Sequence, residues 1–284
     1  MRNRFTKGSM LHELVHLPFH QIVLRKLRAA SEIAGEKYYY GPHNRQYFLF
    51  FKPPAGTTLK KTAVVYFHGG GWQFGSPEMF RMKGQILAQL GYPVIMPSYR
   101  RIPLFNYIHM REDLNLCTAK AQSVLKQNYK HVQNWAFGGM SAGGNLAAHL
   151  VFNQQVLHNL PINQDQISGL YLFSAPLNLD LMEPSPVLRF YAGTRGSELF
   201  QQANPYNYIT GNEPFPVLCI HSTHDGLVNY DSTRSFVQKL QADKVAFHTI
   251  EEGTHLLPGL WPLPDSPLRP LFLDWLERVD GKVF

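Results

Sequence analysis

The sequence predicts an α/β fold: a mostly parallel central sheet of about eight strands, helices on both faces and a small cap. Three observations carry this expectation. From Thr62 onward, short apolar, β-branched runs alternate with helix-like segments, the pattern of strands joined by crossover helices. The central runs are continuously apolar, as strands buried on both faces require. The length of 284 residues, with 44% hydrophobic and 13% aromatic content, suits one large domain with a substantial core.

The elements follow in order. Residues 11–30 set Leu11, Leu14, Val15, Ile22 and Leu27 at roughly helical spacing, with Pro18 as a kink or restart, so an amphipathic helix packed on the domain is expected. Two strands, KYYYG and RQYFLFF, come next as an antiparallel pair around PHN. Strands are then predicted at TAVVYF, YPVIMP, VQNWAFGG, ISGLYLFSA, FPVLCIHS and KVAFHTIE. Helices are predicted over about 79–90, 112–127, 142–153, 231–241 and 270–279. One interval breaks the rhythm. Residues 176–213, rich in Pro, Gly, Asn and aromatics, are too long for a simple connection and read as an inserted lid or cap. No second domain is needed, so 1–284 is expected to be a single domain.

Composition excludes several classes. The net charge is +7, but Lys and Arg are dispersed, and Arg25-Lys26-x-Arg28 and Arg100-Arg101 are too short for a nucleic-acid arm. Solvated surface is the expected role of this charge. Cys117 and Cys219 lie far apart, offering neither a disulfide framework nor zinc spacing, which fits a reducing compartment. No apolar run reaches the ~18 residues that span a bilayer. His12, Glu13 and His16 interrupt any signal-type run near the N-terminus. A cytoplasmic protein with no stable membrane insertion and no nucleic-acid partner is expected; a homodimer stays open.

In an open parallel sheet, ligands meet the carboxyl ends of the strands. After NWAF comes G-x-S-x-G at Gly139, Ser141 and Gly143, between a strand and a helix, as a nucleophile elbow requires. The plainer alternative is a serine N-cap in a glycine-rich turn. After PVLCI comes Asp225, placed as the acid that orients a catalytic base. A plain turn role for Asp225, with Asp231 as the acid, is the alternative; Asp231 reads better as a helix N-cap. After the last strand comes His255, completing the chain order Ser…Asp…His. His221 and His224 would approach the elbow from the wrong strand, and His248 lies inside a strand.

The run His68-Gly69-Gly70-Gly71-Trp72 follows a strand and matches neither phosphate fingerprint: G-x-G-x-x-G fails at Phe74, and the P-loop lysine is missing. An oxyanion hole fits better, because glycine lets a substrate approach backbone N–H groups closely. The N–H of Ala142, after the nucleophile, is the second source.

HGGGW at 68–72, GMSAGGN at 139–145, DGLV at 225–228 and GTH at 253–255 together resemble the hormone-sensitive-lipase-like branch of the α/β-hydrolases. The resemblance covers about residues 62–279. It implies the α/β-hydrolase fold, Ser141 as nucleophile, His255 as general base, Asp225 as its acid, and Gly70, Gly71 and Ala142 as oxyanion donors. It further implies a bracing role for His68 and a cap built from segment 1–35 and insertion 176–213. Met140 stands where the branch usually carries Asp, and YRRIPLFNY replaces its usual Tyr-Arg-Leu-Ala-Pro-Glu stretch. The expected activity is a carboxylesterase-type serine hydrolase, cleaving short-acyl or aryl esters through an acyl-enzyme on Ser141, with no cofactor or metal. An arylformamidase, carbohydrate deacetylase or peptidase would use the same triad; a non-catalytic receptor is the reading from another class.

Overall fold

In the computed structural model, which describes Glu13 and residues 33–283, eight strands are formed: β1 (Glu36–Tyr39), β2 (Tyr47–Phe51), β3 (Thr62–Phe67), β4 (Val94–Pro97), β5 (Asn134–Met140), β6 (Ile167–Phe173), β7 (Val217–Ser222) and β8 (Val245–Ile250). They make one sheet in the order β1-β2-β4-β3-β5-β6-β7-β8. β2 runs antiparallel to β1 and β4, pairing Tyr38 with Phe48 and Phe48 with Pro97; every other neighbouring pair is parallel. The expected α/β-hydrolase sheet is therefore present, including its antiparallel entry.

The helices are α1 (Arg81–Gln89), α2 (Tyr107–Asn128), α3 (Ala142–Phe152), α4 (Gln154–His158), α5 (Pro186–Ala192), α6 (Glu198–Ala203), α7 (Tyr230–Gln238) and α8 (Leu268–Gly281). The five predicted helices correspond to α1, α2, α3, α7 and α8. α2 starts five residues earlier than its apolar spacing suggests, because Asn106 caps it. The Asn106 side chain accepts the Ile108 N–H, and the His109 ring accepts the Asn106 N–H, a capping box at the helix start. Asn229, not Asp231, caps α7: its side chain accepts the Asp231 N–H at 2.9 Å. Asn and Asp are both good caps, and the two lie two positions apart here, so local pattern does not choose between them. The predicted helix over 11–30 lies outside the described residues, Glu13 excepted.

Continuous burial of β2 through β7 has the expected cause. Along β3, Ala63, Val65 and Phe67 face a core shared with α2 and α3, while Val64 and Tyr66 face one shared with α1 and α8. β8 is an edge strand among the described residues, and its side chains are half-buried or exposed. The insertion between β6 and β7 folds as α5 and α6 flanked by short 3₁₀ turns and contributes Leu188, Tyr191, Ala192 and Phe200 to the α2/α3 side of the core. Both cysteines are free and buried. Among the described residues no helix is long and apolar enough to cross a membrane.

Candidate active site

Ser141 sits between the last residue of β5 and the first of α3, at φ 53° and ψ −126°. Such a left-handed conformation costs a non-glycine residue about 1–3 kcal/mol and persists only where its surroundings enforce it. The enforcing partners are visible. A methyl at Gly139 would lie 2.3 Å from the Phe67 carbonyl oxygen, and one at Gly143 would lie 2.2 Å from the same atom and 2.5 Å from the His68 oxygen. The end of β3 thus presses on both flanks of the turn. Glycines two before and two after Ser141 are what the turn can hold. Ser141 N–H donates to the Phe173 carbonyl at 2.8 Å, which ties the elbow to β6. The residue remains partly exposed at the mouth of α3.

The glycine run lies directly against this elbow. A methyl at Gly69 would touch the Met140 oxygen at 3.1 Å and Ser141 Cβ at 3.4 Å. Gly70 adopts φ 134° and Gly71 φ 58°, and the Gly70 carbonyl accepts N–H bonds from Gln73 and Phe74. Among the described residues, no protein acceptor takes the N–H groups of Gly70, Gly71 or Ala142. His68 is fully buried and braces the loop: its Nδ1 lies 2.8 Å from the Gly69 oxygen, and its ring stacks on Tyr99 at 4.6 Å. The Tyr99 hydroxyl donates to the His68 carbonyl at 2.8 Å. Burial pushes the His68 ring down to about 4, so it is neutral at neutral pH. Trp72 stacks on Tyr191 of α5 at 3.9 Å, and the Tyr191 hydroxyl donates to Asn145 of α3 at 2.6 Å. The insertion is therefore bonded to the elbow helix and stacked on the glycine loop at once.

Asp225 follows β7 and His255 follows β8, as their chain positions predict. They meet: His255 Nδ1–H donates to Asp225 Oδ2 at 2.7 Å. The other Asp225 oxygen accepts the N–H groups of Leu227 at 2.9 Å and Val228 at 2.8 Å. His221 Nε2 also lies 3.0 Å from Asp225 Oδ2, while its Nδ1 contacts Thr233 Oγ1 at 2.7 Å. Burial opposes ionisation of Asp225. The histidine charge and these hydrogen bonds outweigh it and hold the carboxyl well below the usual carboxylate range. Burial likewise disfavours the His255 imidazolium, but the Asp225 carboxylate, its hydrogen bond and Glu13 together raise the ring above the ordinary histidine value.

The loop that carries His255 is seated on the elbow. A methyl at Gly259 would lie 2.4 Å from Met140 Sδ, the side chain just before Ser141. Asp231 is not brought in: it is about half exposed and pairs with Arg234 at 3.0 Å. His248 is exposed on β8. Two residues of this site escape a reading by motif. By position His221 reads only as a candidate base from the wrong strand, whereas its contact is with Asp225. Glu13 reads in sequence only as a charge interrupting an apolar run; no spacing rule links it to residues more than two hundred positions away. Among the described residues no group of three or more His, Cys, Asp or Glu side chains is placed to hold a metal ion.

Residues 64–256 match a family model described as the alpha/beta hydrolase fold. Esterase LipC of Mycobacterium tuberculosis is 28% identical over 234 residues, covering 74% of this chain; the chain spans 57% of that relative's length. Among solved structures, esterase B of Lactobacillus rhamnosis superposes with a TM-score of 0.70 at 19% identity, over 95% of each chain. Esterase 2 of Thermogutta terrifontis, phosphonylated by cyclosarin, gives a TM-score of 0.68 at 21% identity, over 88% of this chain and 95% of that one. These structural likenesses show the fold.

Proposed function

The chain belongs to the alpha/beta hydrolase fold family, and from that premise we propose that it is a carboxylesterase-type serine hydrolase with Ser141 as nucleophile. One observation carries the reading most. A buried His255–Asp225 pair at 2.7 Å joins the loop after β7 to the loop after β8, and the latter packs against a strained serine elbow, beside a glycine turn whose N–H groups have no protein acceptor among the described residues. The resemblance to proteins named esterases supports the choice of bond.

In this reading, His255 takes the Ser141 proton as Oγ attacks the ester carbonyl. The Asp225 carboxylate holds the ring in the tautomer with Nδ1 protonated and stabilises the imidazolium that forms. The negative charge on the former carbonyl oxygen is received by the N–H groups of Gly70, Gly71 and Ala142, close to the start of α3, where the helix dipole adds to the attraction. His255 then delivers its proton to the departing alcohol, leaving an acyl-enzyme on Ser141. Water repeats the cycle and releases the acid. Val187 of α5 lies beside Gly71, so the insertion walls the glycine side of the site; a methyl at Gly71 would be 3.8 Å from Val187 Cγ1. Short-acyl or aryl esters are the proposed substrates, consistent with the aliphatic Val187 that α5 brings beside Gly71.

Ser141→Ala is expected to lower kcat on short p-nitrophenyl esters by on the order of 10⁶. It is also expected to abolish labelling by a fluorophosphonate probe. Wild-type turnover by this variant would dismiss the assignment.

A further inference from the structure

Glu13 is 2% exposed and far upstream in the chain, yet it reaches the centre of the site. Its Oε1 accepts the backbone N–H of His255 at 2.7 Å and the backbone N–H of Gly226 at 3.2 Å. One carboxylate oxygen therefore bridges the loop after β8 to the loop after β7. It grips the base by its own main chain and the acid by the residue that follows it. These bonds add to the His255–Asp225 side-chain bond and hold the two loops on which that bond depends.

We infer that Glu13 is a positioning residue of the hydrolytic site, a carboxylate that clamps the base loop to the acid loop and favours the positive charge that His255 acquires during attack. The inference rests on the hydrolase reading of Ser141, His255 and Asp225. Two physical arguments support it. Hydrogen bonds to a charged acceptor are roughly twice as strong as neutral ones, so Glu13 binds the two loops more firmly than a neutral acceptor could. A misplacement of about 1 Å in a catalytic group can cost 10² in rate, so a clamp on the His255 backbone bears on catalysis without touching substrate. Other charged or titratable groups face the same place. Asp225 lies against the ring, with His221 on its far side. Lys83 lies behind the loop, where a methyl at Gly259 would be 3.6 Å from its Nζ. Asp225 orients the ring by its edge; Glu13 alone among these holds the His255 main chain.

The test uses the full chain with Glu13→Ala, Glu13→Gln and Glu13→Asp. Gln keeps the length and an acceptor oxygen but removes the charge. For Glu13→Ala the expected result is a kcat about 10²-fold lower with KM nearly unchanged. Glu13→Gln should recover a large part of that loss, with kcat about tenfold below wild type. Removing a negative neighbour disfavours the imidazolium, so in Glu13→Gln the acid limb of the kcat/KM profile should move to lower pH. The downfield proton resonance of His255 Nδ1–H, shared with Asp225, should broaden or shift in Glu13→Ala and be lost in Asp225→Asn. If folded Glu13→Ala kept wild-type kcat and pH profile, the inference would be overturned. It would equally fall if Glu13→Gln lowered only the melting temperature, leaving the profile and the resonance unmoved, for that marks a purely structural contact. These arms separate the two claims. Absence of ester turnover and of probe labelling in the wild type dismisses the hydrolase reading, whereas an active wild type with indifferent Glu13 variants dismisses only the role of Glu13.

Discussion

Asp225 meets four donors with two oxygens: Leu227 and Val228 on one, His255 and His221 on the other. Donors on both oxygens offset the cost of burying the charge, and Asp225 is thereby committed to staying ionised beside the His255 ring. The consequence is a pH dependence with a definite sign. In the proposed mechanism His255 must be neutral to accept a proton, and its value is raised above that of an ordinary histidine, about 6.5. Turnover should therefore fall on the acid side with an apparent pKa above about 6.5. Replacing Asp225 by Asn removes the charge that raises His255 and disturbs its tautomer, so the acid limb should move to lower pH. The same change should lower kcat by up to about 10⁴. A kcat/KM profile of wild type and Asp225→Asn measures both; an unmoved limb would place the titrating group elsewhere.

At the scale of elements, the site is made where strand ends collide with a turn. The end of β3 leaves no space for a side chain at Gly139 or Gly143, and the atoms in the way are backbone oxygens that cannot rotate aside. Gly143→Ala should therefore cost about 3 kcal/mol or more, with loss of activity in whatever folds. Thermal melts and probe labelling read the two effects; a variant with wild-type melting temperature and labelling would contradict the geometry. The link through α5 makes a graded prediction. Tyr191→Phe removes the bond to Asn145 but keeps the stack on Trp72, and should destabilise by about 1–2 kcal/mol with turnover largely retained. Tyr191→Ala removes both and should cost about 3–5 kcal/mol, lowering kcat as the glycine loop loses its support. Equal behaviour of the two variants in melts and steady-state assays would show that the stack bears no weight.

At the scale of the whole molecule, Lys83 is one of the buried titratable groups that the proposed chemistry does not use. Lys83 of α1 is 1% exposed, and its Nζ donates to the Tyr66 hydroxyl at 2.7 Å. Among the described residues no carboxylate pairs with it. Burial pushes it down to about 7, against about 10.4 in an unfolded chain. Between these values the unfolded state binds more protons, so this group makes stability rise with pH across that window. The rise is bounded at about 5 kcal/mol. In Lys83→Met the rise should be absent, so the melting temperatures of variant and wild type should draw relative to each other as pH increases from 7 to 10, with the wild type gaining. Parallel curves over that range would refute a neutral Lys83.

Much of this architecture is legible in one dimension. The strand TAVVYF is predicted and found over Thr62–Phe67, and the antiparallel pair, the parallel strands and five helices occupy the segments their apolar patterns mark out. This is because burial on two faces or one is written in local periodicity. The proposed triad of Ser141, Asp225 and His255 is legible for a related reason: strand-end loops line the ligand crevice in such a sheet, and the flanking glycines record steric limits within a few residues. What local pattern could not express was contact between distant segments. The start of α2 depended on the Asn106–His109 cap, the use of His221 on a shared carboxylate, and the entry of Glu13 on backbone N–H groups of Gly226 and His255. The sequence by itself determined the fold, the strand ends that carry the candidate residues and where bare backbone was required, because those are set by short-range sterics and hydrophobic periodicity. Only the tertiary structure decided which buried charges share a partner, since pairing across more than two hundred residues follows from packing in three dimensions.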